Sequence, residues 1–491
     1  MIVKRDREIL QNYLSDASNY RGNAEIVYIP QNLQEVKEII SKLYQEKTPI
    51  TISGAGTGLT GGRVPNEGVI LSMEYLNKII EINYSKRLVR VQPGLLLSEL
   101  EKELNFHGYF FPPNPTEINS SIGGNISNNA SGSRTFKYGS YRKFVRELTV
   151  ILSNGDKLVL DNSNNYLKNN ELKLVSEEGD IYLVPVKPVK LPDTKNAAGY
   201  YLSENMTDVD LFVGSEGTLG VVVEAVLEFL KMPERIAGFM TFFDNVDNML
   251  NYVEKVRKLS LLNNKKDYAS VKEISASLIE LFDKNALNLI RNKYPQIPEN
   301  AKSCIWTEQE YSAENEEYVL GSWFDIIKEF TQLADSTWVS LNEKEHKKFR
   351  EFRHAIPSKV VDLVARNNFK KYGTDTAVPV EKFREFYTFV VDNFESSGIE
   401  YVIWGHVGNA HLHANLLPKT VNEFEKSREL FNLVLYKAVE LGGTISGEHG
   451  IGKLKKEYMH LMFGNDDIDA MKVIRRALDS HNLLGRGNLF D

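Results

Sequence analysis

The chain has 491 residues, 42% hydrophobic and 10% aromatic, a composition that excludes a disordered polymer and a length that calls for two or three domains. Lys+Arg at 59 against Asp+Glu at 66 leaves a net charge of −7, which argues against a general nucleic-acid binder. No run of about 18 apolar residues is present to span a membrane. The start, "MIVKRDREILQNYL", has no apolar signal core, so a cytoplasmic protein is expected. The single cysteine, Cys304, can close no internal disulfide and hold no iron–sulfur cluster. Its apolar neighbours suit a buried packing residue.

The first half of the chain alternates α and β. "NLQEVKEIISKLYQEK" places Leu33, Val36, Ile39, Ile40 and Leu43 at helical spacing. "TPITI" then reads as a strand, and "SGAGTGLTGG" follows it with five glycines in ten residues. Such a loop lets main-chain N–H groups approach an anion, usually a phosphate. Gly56, Gly58 and Gly61 fit the dinucleotide fingerprint, but that fingerprint needs a helix to start inside it. Here "GRVPNEGVILSM" reads as a turn and a second strand, so the nicotinamide reading loses its context, and a plain surface loop stays open. "RLVRVQPG" reads as strand and turn, and "LLLSELEKELNFHG" as a helix stopped by Gly108.

"YFFPPNPTEINSSIGGNISNNASGSRTFKYGSYRKFV" is almost aperiodic. Its aromatics would be costly to leave in water, so an ordered binding stretch is expected and not a linker. "RELTVILSNGDKLVLD" is a hairpin turning at Asn154-Gly155-Asp156. "GSEGTLGVVVEAVLEFLK" is a glycine turn leading into a long apolar strand. After Pro233 the composition changes, and residues 234 to about 432 read as a separate α+β domain. Glycine returns in "WGHVGNAHLHANLLP" and "LGGTISGEHGIGKLKKEYM". No internal repeat shows.

His406, His411 and His413 fall within eight residues, and alternation in "AHLHAN" puts His411 and His413 on one strand face. Glu448 and His449 sit between glycines later on. Nitrogen ligands with a carboxylate suit zinc or a similar divalent ion. No short-spaced zinc motif is present, so pattern alone leaves a metal site and polar turn residues both open.

Together, "SGAGTGLTGG", "PNPTEINSSIGGNISNNASG", "YGSYRKFV", "GSEGTLGVVVEA", "GHVGNAHLH" and "SGEHGIG" resemble the flavoprotein family of bacterial D-lactate dehydrogenases, glycolate oxidase catalytic subunits and D-2-hydroxyglutarate dehydrogenases, within the vanillyl-alcohol oxidase superfamily. The resemblance runs from about Pro30 to near the C-terminus. It implies an α+β fold: an FAD-binding domain over 20–233, a substrate domain over 234–432, and a segment over 433–491 returning to the flavin. It implies FAD contacts from Ser53, Gly54, Ala55, Gly56, Thr57, Gly58, Leu59, Thr60, Gly61, Gly62, Pro113, Thr116, Ser121, Gly123, Gly124, Asn129, Ser131, Gly132, Tyr138, Glu216, Gly217, Gly220 and Val221. No histidine lies beside the first loop, where some superfamily members attach FAD, so non-covalent FAD is expected. The resemblance further implies a divalent metal, often zinc, on His406, His413 and Glu448. His449 would take the substrate hydroxyl proton, and Arg353 would grip its carboxylate; without the resemblance Arg353 reads as an ordinary surface arginine on a helix.

Two departures bear on substrate. The family usually shows Gly-Asp-Gly-Asn between the metal histidines, whereas this chain has Gly408-Asn409-Ala410-His411, and the extra His411 is free to join the metal or alter the substrate. Hydroxyglutarate enzymes tend to carry a lysine six residues before the proline matching Pro379. That position is Gly373 here, with Lys370 and Lys371 near but out of register, which favours a monocarboxylate such as D-lactate or glycolate. Implied partners are a small 2-hydroxy acid and an external electron acceptor (a quinone, an electron-transfer flavoprotein or an iron–sulfur subunit), with no nucleic acid. A homodimer and peripheral membrane attachment are compatible with it. Rival readings are an ether-lipid alkyl transferase on the same fold, which carries consecutive histidines where this chain has only "GEHG", and a non-catalytic FAD-binding subunit.

Overall fold

A computed structural model describes residues 1–490. The helix expected from Leu33 onward spans Leu33–Gln45, begun by Asn32, whose side chain accepts the Glu35 N–H at 3.0 Å. Its apolar stripe, Val36, Ile39, Ile40 and Leu43, is buried against Tyr28, Ile50, Val69 and Leu71. Each such burial contributes about 1.5–3 kcal/mol, and Ile40→Ala would cost about 2–5 kcal/mol through the cavity it opens. The strands beneath form a four-stranded sheet in the order 2–4, 26–29, 69–72, 50–53. Ile50–Ser53 and Val69–Ser72 pair in parallel. Parallel neighbours need a long crossover, and here the crossover is the glycine-rich loop itself, without a helix.

A five-stranded antiparallel sheet follows, in the order 79–83, 88–91, 221–228, 145–151, 157–161. Its last two strands are the hairpin read from the sequence. Val221–Glu228 is buried from both sides: Val221 and Val223 join the core of the first sheet, Ala225 and Leu227 that of the second. This strand therefore locks the two sheets together. The aperiodic stretch after Gly108 is ordered around buried Phe111, Tyr141 and Phe144. It contains two short helices, Ile122–Ser127 and Thr135–Tyr138, too brief to leave a period in the sequence.

Beyond Pro233 an eight-stranded antiparallel sheet runs in the order 338–340, 235–243, 303–311, 278–283, 401–405, 411–416, 372–373, with 376–377 also on 411–416. One face packs Leu281, Ile305, Ile403 and Leu412 under helices Val246–Asn263, Glu316–Phe330, Phe383–Ser397 and Val421–Glu440. The other packs Phe282, Cys304, Trp306 and Trp404 under the long helix Glu343–Asn367. Cys304 is fully buried, as its neighbours implied. The chain finally returns to the first sheet: Ile50 N–H donates to the Leu483 carbonyl (2.8 Å) and Gly485 N–H to that of Ile50 (2.9 Å).

Candidate active site

The glycine loop opens onto a cleft between the first two sheets. Its walls include Gly54, Ala55, Gly56, Thr57, Gly58, Thr60 and Gly62 from the loop, Ser121, Gly123 and Gly124 from the short helix, and Glu216, Gly217 and Gly220 from the second glycine turn. Gly56 and Gly61 hold φ of +82° and +74°, the left-handed region a side chain disfavours. A Cβ on Gly58 or Gly62 would meet no atom nearer than 3.7 or 3.9 Å, so a side chain there would fill open space. The cleft is thus kept bare for a ligand, and a pyrophosphate-bearing cofactor fits it.

Other residues expected at the flavin lie off this wall. Ser53 is buried at the strand end, Leu59 is exposed, and Pro113 and Thr116 lie in the turn before the short helix. Asn129 caps the backbone N–H of Arg142 (3.0 Å), Tyr138 donates to Glu310 Oε1 (2.5 Å), and Val221 packs in the core. Ser131 and Gly132 face the second half of the site: Ser131 Oγ reaches Glu448 Oε1 (3.4 Å), and the Gly132 carbonyl accepts from Lys195 Nζ (3.3 Å).

That second half is built on the helix-343–367 face of the large sheet. His406 ends strand Tyr401–Gly405, and His411 and His413 project together from His411–Leu416, their rings 4.5 Å apart. Glu448 comes over them on the "SGEHGIG" loop, with Oε1 3.2 Å from His406 Nε2 and Oε2 3.6 Å from His413 Nε2. Ligand atoms of His406, His411, His413 and Glu448 lie within 4.8 Å of one another. His406 Nε2 and His411 Nδ1 are buried without a hydrogen-bond partner. Three imidazoles, one carboxylate and two orphaned ring nitrogens fit a divalent ion of the zinc type.

Three neighbours escaped the sequence reading, and a fourth, Lys371, stood out there only as a lysine out of register. Glu280, fully buried on Leu278–Asp283, accepts from His406 Nδ1 and, at 3.2 Å, from Arg353 Nε. A carboxylate behind a histidine fixes its tautomer and turns the other nitrogen toward a metal. Burial works to raise the Glu280 pKa, but His406 and Arg353 outweigh it and hold it below the usual range. Burial likewise works to lower the His406 pKa, and Glu280 and Glu448 outweigh it, so the pKa is raised above its ordinary value and a metal would compete with a proton for the ring. Asp375 is the second buried carboxylate. It accepts from His411 Nε2 (2.9 Å), Ser446 Oγ (2.7 Å), Lys455 Nζ (2.9 Å) and the backbone N–H groups of Glu448 (3.1 Å) and His449 (2.9 Å). Lys195 pairs with Glu448. Lys371 stands at the outer edge, on Asn415. An acid set between Ile279 and Leu281 in the apolar run "LIELF" was a signal for Glu280; for Asp375 and Lys195 the sequence offered none.

His449 stacks on His413 with ring centres 5.3 Å apart, and its Nδ1 lies 3.4 Å from Asp375 Oδ2. Burial pushes its pKa down to about 4 despite Asp375, so the ring is neutral at pH 7. Thr60, on the cleft wall, donates to the His449 carbonyl at 3.3 Å, which ties the two halves of the site together. Glu216 completes the tie by accepting the N–H groups of Ile451 (2.7 Å) and Gly452 (2.6 Å). Arg353 is no surface arginine: it is 8% exposed, turned inward from its helix onto Glu280.

Residues 24–161 match the FAD binding domain, and residues 266–489 match the C-terminal domain of the FAD linked oxidases. The glycolate oxidase subunit GlcD of Bacillus subtilis is 30% identical over 487 residues, covering 97% of this chain and 92% of that protein. The chain belongs to the FAD-linked oxidase family. Other members are a D-lactate dehydrogenase of Anaerostipes hadrus (26% identical, covering 98% of this chain and 93% of that one) and a D-2-hydroxyglutarate dehydrogenase of Stutzerimonas stutzeri (25%, covering 99% and 96%). Among solved structures, an alkyldihydroxyacetonephosphate synthase aligns with a TM-score of 0.65 at 15% identity, over 98% of this chain and 81% of that one, which shows a shared fold. Like its relatives this FAD-linked oxidase joins an FAD-binding half to a C-terminal half. Among the described residues no helix is long and apolar enough to cross a membrane.

Proposed function

We propose that this chain oxidises a 2-hydroxy acid to the 2-oxo acid, its electrons leaving to an external acceptor. The observation that carries this reading is one loop. It sets Glu448 against His406 and His413, and His449 against Asp375, while Thr60 ties it to the glycine-walled cleft. Bound FAD, held non-covalently by that cleft, supplies the two-electron acceptor for the hydride, and a divalent ion on His406, His413 and Glu448, with His411 within reach, supplies a Lewis acid. The residues do the rest. Asp375 faces His449 Nδ1 and leaves Nε2, kept neutral by burial, to take the hydroxyl proton. Glu280 holds Arg353 by its Nε, which leaves the terminal N–H groups for the substrate carboxylate. The bond balance is simple: the C2–H pair leaves as hydride, the hydroxyl proton goes to His449, and C2=O forms.

The sequence favours D-lactate or glycolate, on the strength of Gly373. Anaerobic mixing of the FAD-loaded protein with D- and L-2-hydroxy acids tests the reaction class. The D-acids should bleach the flavin, and a flavin untouched by every acid would rule the reaction out.

A further inference from the structure

Residues 12–23 precede the stretch that matches the FAD binding domain, yet they lie across the glycine loop as a strap. Arg63, just past the loop, donates through Nη2 to the carbonyls of Asn12 and Ser15, both at 2.8 Å. Ala17 N–H donates to the Gly56 carbonyl (3.1 Å) and Asn23 N–H to that of Pro65 (2.8 Å). Tyr20 covers Gly61, where a Cβ would meet its ring at 3.2 Å. Held in this way, the strap brings one of its side chains, Asp16, into the wall of the cleft.

Asp16 is 9% exposed. Its Oδ1 accepts from the Ser18 N–H (3.0 Å) and the Ser18 hydroxyl, which closes a tight turn and fixes the carboxylate. Its Oδ2 is buried with no hydrogen-bond partner. Gly58 stands across from it, and the nearest atom to a Cβ built there would be this same Oδ2, at 3.7 Å. The bare face of the glycine therefore opens onto a bare carboxylate oxygen. A buried acceptor left without a donor is destabilising, and an ionised carboxylate offers acceptors alone. Its guest must donate. Phosphate oxygens cannot, and their charge repels it. A sugar hydroxyl can, as the ribose hydroxyl does with the acidic residue of dinucleotide-binding folds.

We propose that Asp16 Oδ2 accepts a sugar hydroxyl of bound FAD beside the pyrophosphate, which makes the strap 12–23 part of the cofactor site. Both flanks of the pyrophosphate carry such hydroxyls, on the ribose of the adenosine half and on the ribityl chain of the flavin half. The proposal rests on the FAD reading of the cleft and is independent of the oxidation.

The test strips FAD from the full chain and titrates back FAD, ADP and FMN by calorimetry. Asp16→Ala should weaken FAD binding about 10- to 100-fold, the loss expected for one charged hydrogen bond. Asp16→Asn keeps the Ser18 turn through its amide oxygen but gives up the charge. It should lose several-fold, and it serves if Asp16→Ala fails to fold. Ser18→Ala loosens the turn and spares Oδ2, so it should bind FAD like wild type. A loss repeated with ADP places the hydroxyl on the ribose, and one repeated with FMN places it on the ribityl chain. FAD binding as tight as wild type in either Asp16 variant, or tighter because repulsion of the phosphates has been relieved, overturns the subsite. So does a loss in Ser18→Ala that matches the Asp16 variants, since Asp16 would then only fold the strap, and so does a loss shared by neither ADP nor FMN. A wild-type chain that binds none of the three overturns the FAD reading together with the subsite.

Discussion

Glu280→Gln separates positioning from packing in the histidine cluster. The carboxylate lies 3.2 Å from Arg353 Nε and bonds His406 Nδ1, with no exposure to solvent. At an effective dielectric constant of about 20 the Arg353 pair alone attracts by about 5 kcal/mol, most of which offsets desolvation. Removing one partner leaves a buried guanidinium unmatched, which costs about 3–5 kcal/mol in stability. The same change deprives His406 of the acceptor that fixes its tautomer, and loss of such a partner costs about 10- to 100-fold in metal affinity. Chelator-stripped, FAD-loaded protein would be titrated with zinc against a competing chelator, beside thermal unfolding. Glu280→Gln should melt earlier and bind zinc at least tenfold more weakly. A variant that melts earlier but binds zinc like wild type would refute the positioning argument and leave Glu280 a packing charge.

His449→Asn should keep its fold and FAD but slow anaerobic flavin reduction ~10²–10⁴-fold; reduction within a few-fold of wild type at saturating substrate would remove His449 from the chemistry. Denaturation should release FAD into the supernatant, and flavin staying on the polypeptide would show a covalent link. Burial raises the Asp208 carboxyl to about 6 from 3.8, and one oxygen has no partner. The folded protein thus holds this proton to higher pH than the unfolded chain, so stability falls as pH rises from about 4 to 6 and stays lower above. Asp208→Asn should flatten that slope and gain stability at pH 8, by about 3 kcal/mol at most; equal gains at pH 4 and pH 8 in unfolding experiments would refute it.

What the sequence revealed, and what it concealed, follows from how each feature is encoded. Helix 33–45 was legible because its apolar stripe repeats within one element. The strand–loop–strand at 50–72 was legible because a helix after the glycines would have needed residues that Pro65 and Gly68 replace. His411 and His413 share a face because strand alternation is local. Asp375 and Lys195 were hidden because their partners lie 36 or more residues away, in His411, Glu448 and His449, and no local period records such a meeting. Arg353 looked like a surface residue because its helix is strongly charged, and only the fold shows it turned onto Glu280. Lys371 was seen but set aside, since a linear register does not show that a side chain two residues off can occupy a glycine's vacant space.

The return of the chain's end to its beginning has a consequence for biosynthesis. Lys453 Nζ bonds Asn488 Oδ1 (2.6 Å), and the Asn488 amide in turn holds the carbonyls of Gly62 (2.9 Å) and Glu216 (3.0 Å) at the glycine cleft. A nascent chain folds from its N-terminus as the ribosome extends it, so the first sheet and its loop emerge hundreds of residues before the segment that braces them. Until residues 483–490 clear the ribosome the cleft lacks one of its struts. A polypeptide cut before Asn488 would lack that brace on the carbonyls of Gly62 and Glu216.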